Sequence, residues 1–304
     1  MKSFTQEKIQ LGEHELAAYS LGDSDQALVL IHGGPGAASE TLQGPHERYA
    51  EMGYRVITWD QLGCGNSDEP DDDSLWTIER FTDEVKAVTD HFGLKKIHMM
   101  GLSWGGILAI EYTLKYPEHL KTLILGNTSA DGEIMQRGFE RFKMNLGNQT
   151  YQMMSKREAN GTKDNPEYKA AITLLMRRHL CRLEEWPVEL TNSVSNAGKK
   201  AMDLIFGENL FHCTGAIRSY SRLSELHNIK VPTLIMTGEH DYVSIDCAIA
   251  MKAKIQQAEL HVLKGCSHAP YYEDPEQYHA VLSGFLEQQL DHSATPEVEV
   301  PGCV

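Results

Sequence analysis

Gly101-Leu102-Ser103-Trp104-Gly105 is the stretch whose reading decides the fold. It follows the apolar run that begins at Ile97 and precedes Gly106-Ile107-Leu108-Ala109-Ile110-Glu111-Tyr112, which has helical apolar spacing. Ser103 therefore stands where a strand turns sharply into a helix. Glycines at 101 and 105 let the backbone pass close to its neighbours, and the strained turn holds the serine oxygen clear of the sheet. The first amides of the following helix point at whatever negative charge develops nearby. G-x-S-x-G in this context predicts a nucleophilic serine; the competing reading is an ordinary turn that contains serine.

Upstream, Ala27 to Ile31 is a continuous apolar run suited to a strand covered on both faces. It ends in His32-Gly33-Gly34-Pro35-Gly36, a loop whose amides cannot all join a ladder and can approach a ligand closely. In a serine hydrolase one oxyanion donor comes from this place, which selects the amide of Gly34, with the amide of Trp104 as its partner. No Gly-Lys-Ser or Gly-Lys-Thr follows, so a phosphate loop is excluded. Tyr54 to Trp59 is the next strand and runs into Asp60-Gln61-Leu62-Gly63-Cys64-Gly65-Asn66-Ser67. Asp60 reads either as a catalytic carboxylate or as an aspartate that bonds the amides of its own turn. Asp71-Asp72-Asp73 reads as a solvated loop without calcium-loop spacing.

A helix begins at Thr77, with Phe81, Val85, Val88 and Phe92 on one face, and Gly93 closes it. Leu120 to Leu125 is another buried strand, so the order is β-α-β-α and the sheet is mostly parallel with helices on both faces. The rhythm breaks near Asp131. From there to Leu226 the chain is polar, helical and rich in methionine, without a buried strand. This divides it into a core of 1–130 and 227–290, a helical cap of 131–226, and a loose tail of 291–304. The cap methionines either line a substrate pocket or pack a small core of the insertion.

The sheet resumes over Val231 to Met236, and Asp241 in the loop after it is where the acid of a triad belongs; Asp246 is a weaker rival at the start of the next helix. Ala258 to Leu263 is the last strand, and a final helix spans Pro275 to Leu290. Of 14 histidines, His268 combines a post-strand loop near the C-terminus with the chain order Ser103, Asp241, His268.

The totals agree. With 28 basic against 43 acidic residues the net charge is −15, which repels nucleic acid and anionic membranes. No stretch approaches the roughly 18 apolar residues of a membrane span, and the first residues lack a signal-peptide core. Six cysteines without metal-ligand or redox spacing fit reduced thiols in the cytoplasm.

Together, His32 to Gly36, Asp60 to Ser67, Gly101 to Gly106, Gly238 to Asp241 and Ser267-His268 resemble the α/β-hydrolase fold and, more narrowly, its proline iminopeptidase family, including the tricorn-interacting aminopeptidase type. The resemblance covers nearly the whole chain. It implies an eight-stranded core with a helical cap, no metal and no organic cofactor, and a small-molecule or short-peptide substrate. It also implies Ser103 as nucleophile, His268 as general base and acid, and Asp241 as the orienting carboxylate. Members of the family hold the substrate's α-ammonium with carboxylates, in some directly after the triad aspartate. This chain has Tyr242 there, and Leu210 where a cap acid is expected, with Glu208 close by. Gly33, Tyr242 and Glu208 are thus the candidate substrate contacts. Three functions are carried forward: an aminopeptidase releasing N-terminal residues, proline by preference; an amino-acid amidase, esterase or lactonase with the same triad; and a non-catalytic binding protein on the same scaffold.

Overall fold

Leu28, Val29, Leu30 and Ile31 have no solvent exposure, and their side chains divide alternately between two apolar clusters, Val29 and Ile31 on one face, Leu28 and Leu30 on the other. A strand buried on both faces is what a continuous apolar run provides. It forms the centre of an eight-stranded sheet in the computed structural model, which describes residues 3–207 and 209–289. The predicted tail of 291–304 lies outside the described residues.

The strands are β1 (Thr5–Leu11), β2 (His14–Leu21), β3 (Ala27–Ile31), β4 (Arg55–Trp59), β5 (Ile97–Leu102), β6 (Leu120–Gly126), β7 (Thr233–Gly238) and β8 (Ala258–Leu263). Their spatial order is β1-β2-β4-β3-β5-β6-β7-β8; β2 is antiparallel to both its neighbours, β1 and β4, and every other pair is parallel. The strand expected from Val231 begins two residues late because Pro232 has no amide to give the ladder; its carbonyl still accepts from the Leu123 amide.

Chain direction across the sheet reverses between β3 and β5, which pair from Ala27↔Ile97 to Ile31↔Gly101. A ligand crevice forms at such a switch point, beyond the carboxyl ends of the strands. Here it is flanked by the loop after β3 and by Ser103, which immediately follows β5. The helix from Trp104 to Lys115 then crosses back over the sheet, and the helix Ile78–His91 packs beside it, its first turn capped by the Thr77 side chain on the Arg80 amide.

Between β6 and β7 the chain forms the helices Gly132–Met144, Asn148–Ala159, Pro166–His179 and Val188–Ser195 and a π-type turn Met202–Phe206. Asp131 and Asn165 cap the first and third through side-chain acceptors. Met135, Phe139, Met154, Tyr168 and Leu175 of this segment belong to the same apolar cluster as one face of the sheet. The insertion therefore shares the sheet's core and does not build a separate one, while Met176 and Met202 line a cavity.

One buried cation holds these helices together. Lys143 is fully buried and its ammonium lies 2.9 Å from Glu158 and 2.8 Å from Glu140. Glu158 also accepts from the Tyr168 hydroxyl at 3.0 Å and faces His212 at 3.4 Å. Burial pushes the Glu158 carboxyl up, but the hydrogen bonds from His212 and Lys143 prevail and hold it below its ordinary value. A carboxylate whose folded value is lowered stabilises the fold above the unfolded value and loses that contribution as pH falls through the folded one. Lys143→Met is expected to lower the unfolding free energy at pH 7 by about 3–5 kcal/mol, because it leaves Glu158 without its buried partner. Urea titrations should show that deficit shrinking as pH falls toward about 4.5 and below, because burial without Lys143 raises the carboxyl and a protonated Glu158 needs no cation.

Candidate active site

Ser103 has φ 56° and ψ −122°, a conformation that a residue with a Cβ adopts at a cost of about 1–3 kcal/mol. Its neighbours explain how the turn fits. A Cβ on Gly105 would stand 2.2 Å from the Ile31 carbonyl oxygen, and one on Gly101 would stand 2.2 Å from the Gly105 carbonyl oxygen. Both glycines are thus required by close backbone approach. The Ser103 amide donates to the Gly126 carbonyl at 2.8 Å, and the Ser103 carbonyl accepts from the Gly106 amide and the Thr128 hydroxyl at 2.9 and 2.6 Å.

Ser103, His268, Tyr242, Gly33 and Gly34 line a single cavity of about 310 Å³. Trp104 and Ser103 also line a smaller void of about 20 Å³ that shares Tyr242 with the cavity. Asp241 lies behind His268: its fully buried carboxylate accepts from His268 Nδ1 at 2.7 Å and from the Val243 amide at 2.9 Å. That bond fixes the proton of His268 on Nδ1 and leaves Nε2 as an acceptor. Ser103 Oγ hydrogen-bonds the Tyr242 hydroxyl at 3.3 Å. Among the described residues no hydrogen bond joins it to His268. Glu208 lies outside the described residues.

The loop after β3 brings the Gly34 backbone to the same cavity, with Gly34 at φ +51°. The Trp104 amide is the first of its helix and has no carbonyl four residues earlier within that helix to bond. A network that the sequence reading did not find ties these two places together. His32 is buried, and burial pushes its imidazole below its ordinary value, so the ring is neutral. Its Nδ1 donates to the Gly33 carbonyl and its Nε2 accepts from the Gln61 amide. The Gln61 side chain donates to the His32 carbonyl at 3.1 Å and accepts from Trp104 Nε1 at 2.8 Å. Asn127 was also missed; its amide group donates to the Ser267 carbonyl at 3.0 Å and so steadies the His268 loop. The signal for Gln61 was present as the second residue of the Asp60 turn.

Asp60 itself is buried and accepts from the Ser39 amide and hydroxyl, the Tyr19 hydroxyl and the Asn66 amide, so it organises its own loop. Asp246 sits in the first turn of the helix Ile245–Lys252 and pairs with Arg141 at 2.7 Å, away from His268. The segment between β6 and β7 supplies an apolar wall of the cavity, through Ile172, Met176, Leu180, Leu190 and Leu210. None of the described residues lining it carries a carboxylate, an ammonium or a guanidinium group.

A sheet of this order, a strained serine between β5 and its helix, and an Asp–His pair after β7 and β8 define an α/β hydrolase. The sequence profile of the alpha/beta hydrolase fold matches residues 26–275, and the chain belongs to that family. Within it, the chain belongs with the proline iminopeptidases. It is 35% identical to a proline iminopeptidase of Thermoplasma volcanium over 265 residues, covering 86% of this chain and 89% of that one. The crystal structure of proline iminopeptidase from Mycobacterium smegmatis superposes with a TM-score of 0.87 at 30% identity, covering 94% of this chain and 98% of that one. That of VinJ superposes with a TM-score of 0.89 at 28% identity, covering 94% and 99%. The protein is a hydrolase.

The strain at position 103 can be measured. Ser103→Gly and Ser103→Ala both remove the hydroxyl, but glycine alone adopts the local backbone freely. Ser103→Gly is expected to be the more stable of the two by about 1 kcal/mol in chemical denaturation, after allowance for glycine's greater unfolded entropy. Equal stabilities would show that the turn is unstrained.

Proposed function

We propose that this enzyme cleaves amide bonds through an acyl-enzyme on Ser103, and that it releases N-terminal residues from short peptides, as the names of its relatives indicate. The observation that carries the reading is the His268–Asp241 hydrogen bond of 2.7 Å beside the cavity that also holds Ser103. In the reaction Ser103 Oγ turns to His268 Nε2, gives it a proton and attacks the carbonyl carbon. Asp241 keeps the imidazole in the required tautomer and stabilises the imidazolium. The Gly34 and Trp104 amides receive the oxyanion, each such donor being worth on the order of 10²–10³ in rate. His268 then protonates the leaving amine, and water repeats the sequence on the ester. No step calls for a metal or an organic cofactor.

Residues 131–226 serve as the cap that selects the substrate; Gly33 and Tyr242, which line the cavity with Ser103, and Glu208, which lies outside the described residues, are the proposed substrate contacts. The apolar lining suits a compact, uncharged side chain such as that of proline. The net charge of −15 favours a cationic peptide terminus at long range, screened at physiological salt. Among the described residues no helix is long and apolar enough to cross a membrane. The five cysteines among those residues are free and buried, which supports placing the protein in the reducing cytoplasm.

One observation favours the second reading, an amidase or esterase that needs no free amine. An ammonium brought to Ser103 meets no counter-charge among the described lining residues, and burying it unpaired costs several kcal/mol. Prolyl 4-nitroanilide and its isostere cyclopentanecarbonyl 4-nitroanilide differ by that charge. The aminopeptidase reading expects kcat/KM at least 100-fold higher for the prolyl compound, and loss of that preference in Glu208→Gln if that carboxylate holds the amine. Preference for the carbocycle would establish the second reading. In either case Ser103→Ala should be inert and Asp241→Asn should lose about 10⁴ in kcat.

A further inference from the structure

Tyr242 follows Asp241 in the chain and is 2% exposed. Its ring lies 4.2 Å from the His268 ring, and it also packs against Phe139 and Phe211 of the cap. A buried phenol hydroxyl requires a partner. Among the described residues, that partner is Ser103 Oγ at 3.3 Å. A phenylalanine would occupy the same apolar surroundings with no hydroxyl to satisfy, so what the tyrosine adds is a hydrogen-bonding group beside the reacting oxygen.

We propose that Tyr242 is a further catalytic residue, whose hydroxyl donates to Ser103 Oγ as that oxygen leaves the acyl group during deacylation. The proposal rests on Ser103 being the nucleophile. In deacylation His268 takes a proton from water as the water oxygen bonds to the ester carbon, and the carbonyl electron pair moves onto the oxyanion. When that pair returns, the bond from carbon to Oγ breaks and leaves its electrons on Oγ, and the proton on His268 passes to Oγ. The Tyr242 hydroxyl keeps its own proton throughout and gives Oγ a hydrogen bond that strengthens as charge collects there. Burial supports this, since it raises the phenol above its ordinary value even though the bond to Ser103 acts the other way.

The same hydrogen bond acts with opposite sign in acylation. A donor to Oγ withdraws electron density from the attacking atom, and a serine that donates to the phenol is not directing its proton to His268. Tyr242 thus favours release of the acyl group over its uptake. A packing role would have no such asymmetry.

Stopped-flow hydrolysis of 4-nitrophenyl acetate separates the two half-reactions, because nitrophenolate appears in a burst on acylation and then at the rate of deacylation. In Tyr242→Phe the burst rate is expected to equal or exceed that of the wild type, while the steady-state rate falls about tenfold, the upper range for one neutral hydrogen bond. Both phases slowing together would assign Tyr242 to packing, and an unchanged steady state would remove it from the chemistry; either result overturns the proposal. Should the phenylalanine variant fold poorly, full-length protein carrying 3-fluorotyrosine at 242, nearly the same in volume and a stronger donor, should show a faster steady state. A slower or equal one overturns the proposal again. Wild type that resists a fluorophosphonate probe, together with an active Ser103→Ala, would instead defeat the nucleophile assignment beneath it.

Discussion

The backbone of Ser103, held at φ 56° and ψ −122°, is the constraint on which the remainder of the site depends. Three hydrogen bonds oppose the strain, and the partners of two of them, the Gly126 carbonyl and the Thr128 hydroxyl, lie at the end of β6 and just beyond it. Parallel pairing of β5 with β6 continues to Leu102↔Gly126, so the ladder delivers those partners to the turn. On the opposite side, β3 pairs with β5 as far as Gly101, which brings the Ile31 carbonyl against Gly105. The serine is therefore fixed by the register of three adjacent strands.

Polar groups around that turn are buried almost without net charge. His32, Gln61 and Trp104 form a neutral chain of hydrogen bonds from the loop after β3 to the helix after β5. A neutral network avoids the desolvation penalty that a buried ion pair would carry at the same place. It also leaves Asp241 as the carboxylate in direct contact with the His268 imidazole, so a positive charge on that ring would meet a strong and specific response. Asp60 is the exception, and its four donors from Ser39, Tyr19 and Asn66 account for its burial.

Features set by local chain chemistry were legible in the sequence. The strands from Ala27 and Ile97 stand where apolar runs required burial on both faces, the strands from Leu120 and Ala258 stand where they were expected although the last is a partly exposed edge strand, and the Thr77 cap and Gly93 bound their helix as expected. Ser103, Asp241 and His268 drew notice in the sequence because each follows a strand, and parallel strands carry such loops to one edge, where Ser103 and His268 line one cavity and Asp241 bonds His268. What pairwise packing decides was hidden. Gln61 belongs to a turn whose glycines and asparagine suggested only local bonding, yet its side chain reaches Trp104, 43 positions away in sequence. The methionines of the cap read alike in sequence, but Met154 is fully buried, Met176 and Met202 face the cavity and Met144 is half exposed. Helical spacing gives a face to each residue and does not say which neighbouring element that face meets.

The insertion between β6 and β7 and the loops bearing Asp241 and His268 are joined by direct hydrogen bonds as well as by shared apolar packing. The Tyr242 amide donates to the His179 carbonyl at the end of the helix Pro166–His179, and His179 Nδ1 donates to the His240 carbonyl at 2.8 Å, so the loop bearing Asp241 is bound to the cap at two points. Glu273 makes the corresponding link for His268, since its carboxylate accepts from the Ser267 amide and hydroxyl and from the Arg182 amide of the cap. Helix Pro166–His179 also contributes Ile172 and Met176 to the cavity wall. A displacement of that helix would change the cavity and strain the Asp241 loop together. The cavity wall and the Asp241–His268 pair thus share one set of contacts, and Tyr242 at their junction touches Ser103, His268 and the Phe139 and Phe211 rings of the insertion at once.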